Sequence, residues 1–458
     1  MLYKKIQQLK NSNKAIKDTL SSLSANMWEI ISGILSSVII ARGLGVEDLG
    51  KYALIISLTG LVSNFSQQGI GQTAVRFGTN TYAKKDIEGL NAIFRWAIRI
   101  IFIITLTVSL IFYFFIPIIM KNFWKIDYLT ELARLSIFYG IFSSIAVIPE
   151  LYYQAQKKFF VSGLFRLGKN FLYILGIIIV AVLQIFSLKF IIISNILSSV
   201  LFVIISIFLV PRSSLFEFSE FIQLAKNGFR KVLLLPDKYA EAGILFNDKI
   251  NDFALSRIFE GILNSIITKI DIWLLGALLS PYYIGIYNVA QKVLLPIGLV
   301  YNATFMVINS RFSSLNSIQQ SIKLFWRTHN ILFIVLIPLF AYSLIVPQLI
   351  PFLFGIKFKE SVLIGIALCF FHCLLILSHP SNALSFNLGF SKYSPLRTCL
   401  RLVIFTGSVI ILIPLFKIWG VVISYYLMFL VNISIVNGYI YYKYREFRDN
   451  YNIEAGSL

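Results

Sequence analysis

Ionisable side chains are scarce in the apolar stretches of this chain, so the few that occur there are where chemistry is expected. Glu29, Asp271 and Lys292 each lie inside a long, mostly apolar run. A charge at membrane depth costs roughly 3 kcal/mol or more, and it is retained where it faces protein or a water-filled cavity. Polar neighbours recur at helical spacing around these three. One stripe is Ser22, Asn26, Glu29, Ser32 and Ser36; a second is Gly60, Asn64, Gln67 and Gly71; a third is Arg257, Glu260, Asn264, Thr268 and Asp271. Asn288, Gln291, Lys292 and Asn302 fall within about one third of a helix circumference. Such faces suit a wet cavity able to hold an anion on a cation and to hydrogen-bond hydroxyl groups. Serine, glycine and asparagine also serve as plain helix–helix contacts, and Ser22, Ser32, Ser36, Gly60 and Gly71 fit that bland role. Lys269 is two residues from Asp271 and points to the opposite side; it is either a second cavity cation or the partner of another helix. Arg76 and Glu150 lie at span ends, where an interfacial anchor and a ligand contact are equally consistent.

Cys369, His372, Cys373 and His379 share one helical face, the types that bind zinc. Four ligands spread over about 15 Å of straight helix cannot converge on one ion, so no metal site is expected. No Gly-rich phosphate loop ending in Lys-Ser/Thr occurs, and no nucleophile–base pair is recognisable. The chain reads as a non-enzyme with no cofactor.

The elements that must position these groups follow from composition. Of 458 residues 57% are hydrophobic and only 14% charged, and the mean hydropathy is +0.79. These values exclude a soluble enzyme, a disordered regulator and a disulfide scaffold, and they leave an all-α polytopic membrane protein. Twelve stretches are long enough to span: 20–41, 52–75, 97–119, 132–153, 167–186, 190–210, 254–279, 283–309, 328–350, 361–385, 396–415 and 419–442. They are called spans 1 to 12 below. Residues 1–19 are basic, polar and amphipathic, and no cleavable signal peptide is evident. The net charge of +20 belongs to loops facing anionic lipid rather than to nucleic acid. With both termini inside, 30 Lys and Arg fall on inner segments and 9 on outer ones, the bias expected of cytoplasmic termini.

An internal repeat divides the chain. At a shift of 235, Gly50 falls on Gly285 and Tyr52 on Tyr287; at 231, Pro149 falls on Pro380 and Arg166 on Arg397. The expected domains are 1–19, a six-helix bundle over 20–210, an inner connecting loop over 211–252 with amphipathic helix, a second bundle over 253–443, and a tail over 444–458. Parallel repeats of this kind are related by an axis along the membrane normal, with the ligand site between the halves.

The motif Ala41-Arg42-Gly43-Leu44-Gly45-Val46-Glu47-Asp48-Leu49-Gly50-Lys51-Tyr52 resembles the opening signature of polysaccharide-biosynthesis flippases, the Wzx-type repeat-unit transporters. Gly69-Ile70-Gly71-Gln72-Thr73-Ala74-Val75-Arg76 is similar to their second helix. Ile270-Asp271-Ile272-Trp273-Leu274-Leu275-Gly276 with Gly285-Ile286-Tyr287-Asn288-Val289-Ala290-Gln291-Lys292 is similar to the start of their second half. Lipid II flippases of the same superfamily usually have fourteen helices, which points away from that branch. The resemblance implies a flippase that carries an undecaprenyl-diphosphate-linked oligosaccharide from the cytoplasmic to the outer leaflet of the bacterial inner membrane, by alternating access, for O-antigen, lipopolysaccharide or another surface glycan. Lys292, Arg76 and Lys269 are then candidates to hold the diphosphate. Asn64, Gln67, Asn288, Gln291 and Asn302 are candidates for the sugar hydroxyls. Glu29 and Asp271 are candidates for coupling to a proton or sodium gradient. The implied partners are the lipid-linked oligosaccharide, membrane lipids and polysaccharide-assembly proteins, around a monomer. The rival reading is a cation-coupled multidrug exporter of the same superfamily, against which Lys292 argues.

Overall fold

A computed structural model describes residues 2–67, 69–211, 259–313, 315 and 317–456. The described residues are helical throughout, with short turns between helices. The expected connecting loop falls almost wholly outside them, as does Arg257. Residues 2–19 continue the first helix.

Nine helices among the described residues are long and apolar enough to cross a membrane, or eleven if each of two bent pairs counts as one. The first of these, Asn26–Ala83, has 58 residues. At 1.5 Å per residue it would reach about 87 Å, nearly three times a bilayer core. It is two spans divided at Gly45, whose φ of 76° and ψ of −177° leave the helical region. That backbone is open to glycine and costly for other residues. With this division the described helices account for all twelve expected spans. The bent pairs are spans 7 and 8. Phe259–Ile267 meets Ile270–Leu278 at 41°, and Pro281–Lys292 meets Leu295–Ser313 at 50° just before Pro296. Spans 4 and 10 are also interrupted, and at equivalent places. Thr130–Ile145 gives way to Ile148–Ala155, with Pro149 in its first turn. Ser361–Leu377 gives way to His379–Asn387, with Pro380 in its first turn. Proline lacks the N–H a continuing helix needs, but it fits a first turn.

The chain divides into two compact units, Met1–Leu44 with Lys51–Lys269, and Gly45–Gly50 with Ile270–Leu458. Their packing maps correspond. In the first unit span 4 packs on spans 2, 3 and 6, and span 5 on span 6. In the second, span 10 packs on spans 8, 9 and 12, and span 11 on span 12. Large apolar side chains remain exposed on both, such as Phe208 at 82% and Leu344 at 75%. This is the surface a hydrocarbon solvent requires, with backbone polar groups satisfied inside helices.

The repeat also has a physical contact inside the second unit. A Cβ on Gly50 would meet the Pro281 carbonyl, and one on Gly285 would meet the Val46 carbonyl. The shift that maps Gly50 onto Gly285 also maps Val46 onto Pro281. Each glycine therefore packs on the equivalent of the other's partner, the reciprocal pattern of a local two-fold relation.

Candidate functional site

Asp271 lies in span 7 with none of its surface exposed. Its Oδ2 accepts from Tyr287 Oη at 2.6 Å, Tyr425 Oη at 2.9 Å and Gln291 Nε2 at 3.0 Å. Its Oδ1 accepts from the Ile272 N–H at 2.7 Å. Four donors suit an acceptor-only carboxylate, and they come from spans 7, 8 and 12. Tyr287 is itself fully buried, and the Tyr425 ring lies 4.6 Å from Phe405 and 5.1 Å from Phe371. The carboxylate is thus held by polar tips mounted on an apolar aromatic wall.

The first unit has the corresponding cluster without the acid. Tyr52 Oη bonds Tyr173 Oη at 3.2 Å and accepts from Asn195 Nδ2 at 3.0 Å. Ser36 Oγ donates to the Gly33 carbonyl of its own helix at 3.1 Å. At the repeat shift of 235, Tyr52 corresponds to Tyr287 and Ser36 to Asp271. Both units bury a tyrosine-centred cluster, and among the described residues only the second gives it a carboxylate.

A second charged group lies in the first unit. Arg166, in span 5, bonds Glu150 through Nε at 2.9 Å and again through Nη2. Its Nη1 donates to Asn26 and lies 3.7 Å from Glu29. Gln154 Nε2 donates to the same Glu150 oxygen at 3.0 Å. The planar guanidinium fork suits such multiple contacts. Its repeat counterpart Arg397 donates to Asn382 Oδ1 at 3.0 Å. In each unit the arginine that opens the fifth span bonds a side chain of the broken fourth span. Glu150 retains little exposure at 16%, so removing its cation is costly. Arg166→Ala is expected to lose on the order of 3 kcal/mol of stability, read as a lowered melting temperature of the purified protein. Arg166→Lys should recover only part, because an ammonium cannot reproduce the fork.

The other expected residues are distributed as follows. Gln67 Nε2 donates to the Ser143 carbonyl at 3.1 Å. The Lys269 Cε lies 3.4 Å from where a Cβ on Gly60 would stand, so Lys269 crosses the Gly60 face of span 2. Asn64, Asn288 and Lys292 are half-buried, while Arg76 and Asn302 are exposed. Arg76 stands over the Phe77 ring at 5.6 Å. Glu29 is exposed at 56% and belongs to the Arg166 group, in a different unit from Asp271. Gln291 is committed to the Asp271 carboxylate. Among the described residues no group of three or more His, Cys, Asp or Glu could hold a metal.

Sequence reasoning did not single out Tyr425, and it used Tyr287, Arg166 and Arg397 only as markers of the repeat. The repeat shift was the available signal for part of it, since it aligns Tyr52 with Tyr287 and Ser36 with Asp271. Arg99, one of the Lys and Arg assigned to inner segments by the charge count, is only 1% exposed.

Residues 15–316 match the family model described as polysaccharide biosynthesis protein, and the chain belongs to that family. It is a multi-pass membrane protein whose helical fold is that of solved multidrug exporters and of a lipid flippase. Comparison with curated proteins returns no match. Among solved structures, an inward-facing multidrug resistance MATE family transporter of the MOP superfamily superposes with a TM-score of 0.70 at 15% identity, covering 93% of this chain and 99% of that one. Lipid II flippase MurJ in an inward closed conformation gives 0.56 at 16% identity, over 91% and 86%. A MOP superfamily transporter from Pyrococcus furiosus, described as having a binding pocket of reversed polarity, gives 0.58 at 16%, over 92% and 96%.

Proposed function

We propose that this protein flips a polyprenyl-diphosphate-linked oligosaccharide from the cytoplasmic to the outer leaflet of the bacterial plasma membrane, with both termini cytoplasmic. Family membership over residues 15–316 carries this reading. A diphosphate with several sugars cannot cross hydrocarbon unaided, so a surface-glycan pathway assembled inside requires such a carrier. Lys292, with Arg76 and Lys269, supplies cations for the diphosphate. Asn64, Gln67, Asn288 and Asn302 supply amides for hydroxyl groups. The product serves O-antigen or another surface polysaccharide. Asp271 takes the coupling cation, proton or sodium, because a saturated buried carboxylate in a membrane is a group whose charge must be balanced. The two halves work by alternating access.

Cells deleted for this protein are expected to accumulate the lipid-linked oligosaccharide in a glycosidase-protected inner leaflet and to lose surface glycan. Wild-type protein restores the glycan. Lys292→Ala, present at the same level, does not. Unchanged glycan in the deleted strain, together with heightened sensitivity to cationic drugs, would favour the exporter reading instead.

A further inference from the structure

A guanidinium carries five N–H donors, and in Arg166 three of them are engaged. Nε and one N–H of Nη2 go to Glu150, and one N–H of Nη1 goes to Asn26. One N–H on each Nη is left over. Glu29 faces Nη1, but its Oε2 stands 3.7 Å away, beyond hydrogen-bond distance. The two carboxylates on this guanidinium are therefore unequal. Glu150 is 16% exposed, and one of its oxygens accepts twice from Arg166 and once from Gln154. Glu29 is 56% exposed and makes no hydrogen bond to the arginine.

Glu29 lies within span 1, and a carboxylate more than half exposed at that depth looks onto water rather than hydrocarbon. Span 5 brings further donors to the side that carries Arg166. Its helix runs unbroken over Phe159–Val182, so Lys169 and Asn170 follow Arg166 by one turn on the same side. Lys169 is half-buried, and Asn170 Nδ2 is buried with no hydrogen-bond partner. One helix side thus mounts two cations and a spare amide, beside one firmly bound acid and one loosely held acid. Two N–H groups on one guanidinium suit two oxygens of a single phosphate, and such charge-assisted pairs are strong. An exposed acid at ion-pair distance is a weak competitor for them.

We propose that Arg166 and Lys169 form a phosphate-binding site in the first unit, for which Glu29 is the built-in place-holder. The diphosphate of the substrate displaces the Glu29 carboxylate, which turns into water. It takes the two open N–H groups of Arg166 together with the Lys169 ammonium, while Glu150 and Asn26 hold the guanidinium still. This rests on the reading of the substrate as a lipid-linked diphosphate, and it assigns the charged end of that substrate to two cations of span 5.

The test uses the full chain in detergent, with affinity read by native mass spectrometry. Undecaprenyl diphosphate is the probe, undecaprenol its uncharged counterpart, and phosphatidylglycerol the phosphate of the bilayer itself. Glu29→Gln removes the place-holder and should bind the diphosphate about two- to fivefold more tightly than wild type, the worth of an exposed ion pair. Lys169→Gln should bind it about tenfold more weakly, the loss of one charge-assisted bond. Neither change touches the bonds between Arg166 and Glu150, so both variants should fold. Glu131→Gln is the charge control: Glu131 pairs with Arg134, and its loss should leave the affinity unchanged. Undecaprenol should bind all four proteins alike. Diphosphate binding that does not tighten in Glu29→Gln, or does not weaken in Lys169→Gln, overturns the proposal and leaves the flippase reading standing. An equal gain in Glu131→Gln also overturns it, because the gain would then follow net charge alone. An equal gain for phosphatidylglycerol in Glu29→Gln overturns the assignment to substrate and gives the site to a membrane headgroup. No binding of the diphosphate by either wild-type protein or Glu29→Gln removes the flippase reading, and the proposal with it.

Discussion

Asp271→Asn is expected to cut transport by about a hundredfold, the upper range of coupling between two sites, while most of the protein remains folded. The carboxylate is the shared acceptor for Tyr287, Tyr425 and Gln291. Asparagine keeps one acceptor oxygen and sets an NH₂ group among those donors. The two hydroxyls can turn to accept, whereas the Gln291 amide must flip or lose its bond, so the structural cost is about 1–3 kcal/mol. What asparagine cannot supply is the negative charge. Asp271→Ala removes every acceptor and is expected to be less stable still. The check is a paired one, with transport per folded molecule from surface-glycan output and the folded fraction from size-exclusion chromatography. Transport that falls only in proportion to the folded fraction would make Asp271 a structural residue. The corresponding first-unit position predicts the contrast: Ser36→Ala removes a neutral buried hydroxyl bonded to the Gly33 carbonyl of its own helix and should leave transport within about twofold, since the loss of one such hydrogen bond costs about 1 kcal/mol.

Gly285→Ala should be among the most damaging single-methyl changes. The added Cβ would overlap the Val46 carbonyl, a backbone group that no rotamer change can move. A loss above about 4 kcal/mol is expected, as for other strong overpacking, and the protein should fail to reach the membrane in folded form. Gly50→Ala should behave the same way, because it meets the Pro281 carbonyl. Gly298→Ala is the control. Nothing lies within 4 Å of a Cβ there, and alanine in a helix should gain about 0.5–1 kcal/mol over glycine. Thermal unfolding of the three variants, followed by aggregation of detergent-solubilised protein, separates these outcomes. Equal stability of Gly285→Ala and Gly298→Ala would contradict the reciprocal contact.

Much of this architecture was legible because a bilayer imposes a simple rule. Twenty apolar residues make a span, so the twelve stretches could be read from hydropathy alone, and the twelve-span reading needed only the break at Gly45 and the two bent pairs counted as single spans to match the helices. The repeat was legible from Gly50 and Gly285 because close backbone contact admits no side chain. The reach of single side chains was not legible. Periodicity put Glu29 and Asp271 on polar stripes, yet it could not show that Glu29 joins Arg166 while Asp271 gathers two tyrosines. Those partners come from spans 5, 8 and 12, and no spacing within one helix encodes such contacts. Tyr425 was silent because tyrosine in a membrane span reads as an interfacial or packing residue. Gln291 was legible as a polar group on the right face, but its committed bond to Asp271 leaves it a poor choice for a sugar.

The account stands or falls on transport of the lipid-linked glycan by the purified protein. In proteoliposomes carrying a polyprenyl-diphosphate sugar in both leaflets, a membrane-impermeant enzyme that modifies the sugar reports how much of it reaches the outer leaflet. Wild-type protein should move the protected half outward at a rate that rises with an imposed proton or sodium gradient, and Asp271→Asn should remove that rise. Vesicles in which the protected half stays protected with wild-type protein, under either gradient, would contradict the flippase assignment.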